Sequence, residues 1–191
     1  QGKPLGEIRN IFTKGGGSNS YMHPNLDEIS NLPDLSLFDL GRFSGAIPEG
    51  PKPSMCIMGS RGCPFECIFC QNAWGKKVRY RRPESVIAEI KYLRSQGIKE
   101  IFFQDDNFNL NHDWAKEILS GIIACGLNDI AYRLVFRCNE KLVTSELLRL
   151  ARKAGVWIIF YGVESLSQRM LDGMRKGLTV AEIERAVRLT Q

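Results

Sequence analysis

The sequence is poor in the features that mark membrane, secreted or disordered proteins. No apolar run approaches the roughly 20 residues that cross a bilayer, and no basic-then-apolar leader follows Gln1. Six cysteines in 191 residues are too few for a disulfide scaffold, and 43% hydrophobic with 25% charged residues is a globular composition. The net charge of +5 fits an anionic partner without requiring one. Because the chain does not begin with Met, we expect a fragment.

The first 53 residues differ in composition from the rest. They hold six of the eight prolines and the triple glycine Gly15–Gly17, with little periodic apolar pattern. Residues 31–35 and 38–40 supply a few apolar anchors. We therefore predict that residues 1–53 form a linker or wrapping arm after an absent upstream domain.

From Ser54 onward, short apolar strands alternate with amphipathic helices. The patterns predict strands near residues 55–58, 101–103, 132–137 and 156–161, and helices over 83–97, 111–126 and 144–155. Two further helices are predicted to open with capping boxes, Ser165 with Gln168 and Thr179 with Glu182.

The spacing of three glycines shows a repeating unit. Gly97, Gly126 and Gly155 are 29 residues apart, and each follows a predicted helix and precedes a strand. Repeated βα units form a parallel sheet, either open and doubly wound or a barrel. With four units present, we predict an α/β fold over residues 54–191: a partial TIM-like βα barrel with outer helices, its C-terminal part missing.

Three cysteines lie on one loop between the first strand and the first helix. Cys63, Cys67 and Cys70 follow the pattern C-x-x-x-C-x-x-C. Clustered thiolates favour zinc, copper(I) or an iron–sulfur cluster, in a reducing compartment such as the cytoplasm. A structural zinc site needs four ligands, and neither His23 nor His112 completes such a set. A four-iron cluster held by three thiolates would leave one iron open for a ligand.

This loop resembles the cluster motif of radical S-adenosylmethionine (SAM) enzymes, with Phe69 before the last cysteine. Residues 101–108 and 160–165 look like strand motifs of the cobalamin-dependent branch, and the resemblance covers residues 54–191. Two departures are Leu166, where glycine is frequent, and the absence of Gly-Gly-Glu after the second strand. The resemblance implies a [4Fe–4S] cluster held by the three cysteines and reductive cleavage of SAM by an enzyme of this class.

The same resemblance implies a cobalamin-assisted methyl transfer or carbon-skeleton reaction, that is, a methyltransferase or a cyclase. Cobalamin would be held mainly by a domain that precedes residue 1. A reductant such as flavodoxin or ferredoxin would be the protein partner. The substrate stays unnamed, and nucleic acid is not favoured.

Periodicity alone brings polar groups to one edge of the sheet. Residues 60–70, Asp105 with Asp106, Arg137 and Glu164 with Ser165 each follow a strand, and carboxyl ends of parallel strands meet at one edge. We interpret an aspartate as an acceptor for the SAM amino group, or as a turn residue. Arg137 would pair with the SAM carboxylate or a substrate anion, or form a salt bridge to Asp105.

The family match implies that Glu164 binds the SAM ribose; it could instead satisfy a helix N-terminus, and Ser165 could serve only as a cap. Cys56 and Cys125 are interpreted as small apolar fillers, whereas Cys138 lies at the functional edge.

A basic run at residues 76–82 could contact phosphates or an acidic partner, although most such runs are solvated. Three other functions stay open: a tRNA methylthiotransferase with similar cysteine spacing, a non-catalytic iron–sulfur electron carrier, and a zinc-binding interaction module.

Overall fold

The computed structural model describes residues 25–28, 32–43, 45 and 47–191. Contacts divide the chain into two units, Gln1–Asn31 and Leu32–Gln191. In the first unit, residues 25–28 form a turn closed by the Glu28 amide, which donates to the Asn25 carbonyl at 3.2 Å. The predicted features at Gly15–Gly17, His23 and Asn31 lie outside the described residues. None of the helices in the described ranges is long and apolar enough to span a membrane.

The second unit alternates strands and helices in the predicted order. Its strands are β1 (Ser54–Ile57), β2 (Ser60–Arg61), β3 (Arg79–Tyr80), β4 (Glu100–Phe103), β5 (Ala131–Phe136) and β6 (Val156–Tyr161). Its helices are α1 (Pro83–Ser95), α2 (His112–Ala124), α3 (Ser145–Lys153), α4 (Gln168–Gly173) and α5 (Val180–Thr190). Short 3-10 turns at Leu40–Arg42, Phe108–Leu110 and Glu140–Leu142 complete the described secondary structure.

The main sheet has the order β1-β4-β5-β6, with all neighbours parallel. This order confirms the predicted consecutive arrangement of four βα units and excludes the doubly wound alternative, in which the first strand lies between two later ones. Within the described residues the sheet does not close, and β6 is an edge strand. The fold is therefore the first part of a TIM-like barrel.

One face of the sheet carries the core. Ile101, Phe103, Tyr132, Leu134 and Phe136 pack against the apolar faces of α1, α2 and α3, and each is at most 1% exposed. Alternate residues turn to the opposite face, as the two-residue period of a strand requires. The predicted placement of these helices on one side of the sheet is confirmed.

The opposite face carries polar and aromatic side chains. The guanidinium of Arg133 lies 4.6 Å from the Phe102 ring centroid and pairs with Glu100 at 2.8 Å, both charged side chains being at most 2% exposed. Ser54 Oγ donates to Glu100 Oε2 at 2.5 Å, and Trp157 Nε1 donates to Glu100 Oε1 at 3.1 Å. This buried network lies at the amino ends of the strands, away from the cysteine loop.

Residues 32–43 and 47–53 precede β1 within the second unit and contact the rest of it. Leu35 belongs to the main core, the Tyr92 hydroxyl donates to the Pro33 carbonyl at 2.6 Å, and the Ser54 amide donates to the Phe43 carbonyl at 2.9 Å. The interpretation of residues 1–53 as a linker or wrapping arm, with its boundary at residues 53 and 54, stays a prediction.

The structure corrects one predicted helix start. The predicted capping box of Ser165 with Gln168 is wrong, because α4 begins at Gln168 and its N-cap residue is Ser167. Ser167 makes no side-chain cap bond, and Ser165 Oγ accepts from the Ser167 amide at 3.1 Å. Because Gln168 is the first helical residue, it cannot serve as the third residue of a box. The box of Thr179 with Glu182 at the start of α5 is confirmed.

Candidate functional site

The cysteine loop lies over the carboxyl edge of the parallel sheet. It connects β2 to β3, which pair antiparallel with Ser60 opposite Tyr80, so both ends of the loop are joined. Gly62 has a φ of 108°, and a Cβ there would collide with the Lys77 carbonyl. Glycine is therefore required at this turn. The Cys63 amide donates to the Gly75 carbonyl at 3.1 Å, which fixes the first cysteine to the far side of the loop.

Asp105 and Asp106 hold the start of this loop from the end of β4. Asp105, 2% exposed, accepts from the Gly59 amide at 3.1 Å and from the Ser60 hydroxyl at 2.5 Å. Asp106 accepts from the Gly62 amide at 2.9 Å. The two carboxylates are thus tethers between neighbouring strand ends.

Burial dominates the electrostatics of Asp105. Burial disfavours the charged form, which is poorly solvated, and the pKa of this carboxyl rises from 3.8 to about 6. The hydrogen bonds from Ser60 and Gly59 lower the pKa, whereas the neighbouring charge of Asp106 raises it. The residue is therefore largely ionised at neutral pH and protonated in mild acid.

Two cysteine sulfurs receive hydrogen bonds from side chains at strand ends. Asn107 Nδ2 donates to Cys63 Sγ at 3.2 Å, and Arg137 Nη1 donates to Cys67 Sγ at 3.8 Å. The Cys70 amide donates to the Cys67 carbonyl at 3.2 Å, which closes the second half of the motif into a tight turn. The structure therefore brings the predicted residue Arg137 to the cysteine loop.

Arg137 is buried and held on three sides. It is 4% exposed, its Nε donates to Asn139 at 2.6 Å, and its guanidinium lies 3.6 Å from the Phe65 ring centroid. The alternative salt bridge to Asp105 is not formed. Its Nη2 is buried and has no hydrogen-bond partner among the described residues, so one donor remains available to a ligand.

Glu164 meets a lysine that the sequence analysis did not single out. Lys176, 6% exposed, donates to Glu164 at 3.0 Å, and its ammonium lies 5.4 Å from the ring centroid of Phe69. Glu164 has a φ of 61°, a backbone conformation that is uncommon for a residue with a side chain and is found at functional sites. Nothing in the sequence marks Lys176, which lies in the loop between α4 and α5.

The donor set of the loop fits an iron–sulfur cluster. Cys63, Cys67 and Cys70 are free thiols, the ligands that such clusters take. Among the described residues, no three His, Cys, Asp or Glu side chains lie close enough to share one metal ion. A cluster does not need that proximity, because each thiolate binds a different iron.

The other three cysteines have different surroundings. Cys138 is fully buried in a second apolar cluster with Val143 and Leu171, and burial raises the pKa of its thiol to about 11, which keeps it protonated. The interpretation of Cys56 and Cys125 as small apolar fillers is wrong, since both are exposed. Cys56 lies on the sheet face that the helices leave uncovered, and Cys125 follows the last residue of α2.

Part of the basic run at residues 76–82 belongs to the scaffold. Arg81 is 6% exposed and forms an ion pair with Glu89, and its carbonyl accepts from Trp114 Nε1 at 2.8 Å. Lys76 Nζ donates to the Phe65 carbonyl within the cysteine loop. Arg81 is therefore part of the buried scaffold, whereas Lys76 is exposed and contacts the backbone of the loop.

Comparison with known sequences identifies relatives that are named as a methyltransferase and a cyclase. The chain is 35% identical over 159 residues to an uncharacterised methyltransferase of Pyrococcus horikoshii, covering 81% of this chain and 33% of the relative. It is 35% identical over 170 residues to the anaerobic magnesium-protoporphyrin IX monomethyl ester cyclase of Cereibacter sphaeroides, covering 87% and 28%. The chain thus spans a third or less of the length of these two relatives.

Solved structures and a family model agree with these matches. The radical SAM methyltransferase TsrM from Kitasatospora setae, solved with cobalamin and a [4Fe–4S] cluster, is 27% identical with a TM-score of 0.64, covering 70% of this chain and 28% of that chain. The cobalamin-dependent SAM radical enzyme OxsB shares the fold at 22% identity, with a TM-score of 0.73, covering 98% and 28%. Residues 57–191 match the family model described as the radical SAM superfamily.

Proposed function

The chain belongs to the radical SAM superfamily, and on that premise we propose that the protein is a cobalamin-dependent methyltransferase or cyclase that cleaves SAM reductively. The observation that carries the proposal is the loop of three free thiols over the carboxyl edge of the sheet, faced by Asn107 and Arg137. The names of the relatives, methyltransferases and cyclases, favour these two reaction classes.

We assign Cys63, Cys67 and Cys70 as the ligands of the cluster. A single loop supplies all three, so one iron is left without a protein ligand and can bind the amino and carboxylate groups of SAM. The antiparallel β2–β3 pair and the two aspartate tethers hold the ends of this loop. When bound, the reduced cluster supplies the electron that cleaves SAM into methionine and a deoxyadenosyl radical.

The residues around the loop are assigned to SAM by charge and position. The unpartnered Nη2 of Arg137 suits the SAM carboxylate or a substrate anion, because a buried guanidinium donor without an acceptor is costly. Glu164, held by Lys176, suits the ribose hydroxyls, with Ser165 beside it. Phe69 is half exposed beside Lys176 and offers an apolar surface to the adenosyl group.

The two aspartates take different parts, and only Asp106 is assigned the role expected from the sequence. Asp105 is saturated by Gly59 and Ser60 and serves to position the loop. Asp106 is exposed and uses one oxygen for the Gly62 amide, which leaves the other for the SAM amino group.

The proposed function also implies a cobalamin-binding domain and an electron donor. We propose that residues 1–53 connect the core at residues 54–191 to a cobalamin-binding domain, and that flavodoxin or ferredoxin supplies the electron. A reducing cytoplasmic location suits the free thiols of the loop.

The test is anaerobic reconstitution of the full-length protein. We expect about four irons per chain and a change in the electron paramagnetic resonance (EPR) spectrum of the reduced cluster when SAM is added. Cys67→Ala should abolish both iron retention and deoxyadenosine formation. Cys125→Ala, at an exposed helix end, is the matched control and should retain both. Iron binding without any response to SAM would favour an electron carrier instead, and stoichiometric zinc would favour a structural module.

A further inference from the structure

We propose that Asn107 is a positioning residue for the cluster, which holds Cys63 and raises the reduction potential of the cluster through an N–H···S hydrogen bond. The proposal rests on the proposed ligation by Cys63. Asn107 Nδ2 lies 3.2 Å from Cys63 Sγ, well within the range of a hydrogen bond to sulfur. The two residues are 44 positions apart in the chain, so the bond depends on the fold.

The side chain of Asn107 has no competing local use. Asparagine before a helical turn commonly caps that turn with its side chain. Asn107 precedes the 3-10 turn at Phe108–Leu110 but makes no side-chain cap bond. Its carboxamide is instead directed across the strand ends to the thiol, which is unusual for a residue that serves only to start a turn.

The backbone of Asn107 is held on both sides, which fixes its amide group in advance. Asp105 and Asp106 before it bind the backbone of the loop. Phe108 after it is fully buried, with its ring 5.0 Å from that of Phe103 and 5.2 Å from that of Trp114. A donor placed between such anchors loses little freedom when it binds the sulfur.

The electrostatic consequence follows from charge. A cluster gains one negative charge on reduction, and a hydrogen-bond donor to a ligand sulfur stabilises the more negative state. The hydrogen bond from Arg137 to Cys67 would also stabilise the reduced cluster. The Nη2 of Arg137 is assigned to SAM or substrate, however, so replacement of this residue would change two functions. Asn107 is neutral and contacts the thiol, which makes it the cleaner probe.

The experiment is an EPR-monitored redox titration of the reconstituted full-length protein without SAM. Asn107→Leu removes the donor at similar size. We expect the one-electron reduction to become about tenfold less favourable, which is about 59 mV towards negative potential. Asn107→Asp, with a carboxylate facing the sulfur, should shift it further in the same direction. Asn128→Leu makes the same chemical change at an exposed turn and should leave the potential unchanged.

The outcomes separate this inference from the proposed function. If the wild-type protein takes up no iron, the proposed function fails. If Asn107→Leu keeps its iron and the reduction potential of its cluster equals that of the wild type, the proposed function is retained and the role of Asn107 is refuted. Iron loss from Asn107→Leu with an unshifted potential in the remaining cluster also refutes it. If Asn107→Leu does not fold by circular dichroism, Asn107→Asp, which keeps the shape, decides the question.

Discussion

The buried carboxylate of Asp105 predicts a measurable pH dependence of stability. Its folded pKa of about 6 lies above the ordinary aspartate value of 3.8, so the folded state binds the proton more tightly than the unfolded state does. The stabilising contribution of this proton is fully present below pH 3.8 and is lost as the pH rises through 6. A difference of about two pKa units corresponds to about 3 kcal/mol, as an upper figure.

Replacement of Asp105 by asparagine removes this titration. Asn would keep one acceptor for Gly59 or Ser60 but present an N–H₂ group to the other donor, which costs about 1–3 kcal/mol at every pH. The unfolding free energy of the wild type should therefore exceed that of Asp105→Asn, and the difference should be larger at pH 4 than at pH 7. The pH-dependent part of this difference, up to about 3 kcal/mol, should be lost as the pH rises from 4 to 7.

Urea unfolding followed by circular dichroism at pH 4, 5, 6 and 7 measures this difference in unfolding free energy. Asp113→Asn, which neutralises an exposed carboxylate in the first turn of α2, controls for the change of net charge. A difference between wild type and Asp105→Asn that stays constant over this range would refute the assigned burial. A difference that grows with pH would show that the hydrogen bonds outweigh burial and that the pKa is lowered.

Two further predictions concern stability. Glu100→Gln leaves the buried guanidinium of Arg133 without its counter-charge and should lower the unfolding free energy by about 3–5 kcal/mol in the same denaturation assay. Glu146→Gln, in an exposed pair with Lys116, is the control and should change the unfolding free energy far less. Thr179→Ala removes the confirmed capping box of α5 and should cost about 1 kcal/mol; no measurable loss would mean that α5 is held by packing alone.

The arrangement of strands and helices could be predicted because it depends on local pattern. Glycines that end helices recur at Gly97, Gly126 and Gly155, and all three have positive φ, which residues with side chains rarely adopt. The apolar triplet that begins at Ile101 predicts a strand, and Ile101 and Phe103 are buried. Phe102, on the face that the helices leave uncovered, is only half-buried. These signals lie within a few residues of the element they define.

The partners of individual polar side chains could not be predicted in this way. Asp105 binds the chain 45 and 46 positions earlier, and no local pattern says which donor a strand-end carboxylate will meet. The two-residue strands β2 and β3 are too short to show alternation. Lys176 lies in an irregular loop, and only the folded chain brings it to Glu164. Asn107 had a usable signal, because an amide directly after two strand-end aspartates lies at the functional edge.

Three successive residues after β4 hold three successive parts of the cysteine loop. Asp105 binds Gly59 and Ser60, Asp106 binds Gly62, and Asn107 binds Cys63. The contacts therefore advance along both segments in the same direction, as parallel neighbours would. They begin in the register of β1 on β4, which pairs Ile57 with Phe103, and Asp105 and Gly59 keep its separation of 46 residues. The separation falls to 44 residues at Asn107 and Cys63, beyond the paired strands. The position of the first cysteine therefore depends on the strand pairing beneath it and on the side chains of Asp105, Asp106 and Asn107.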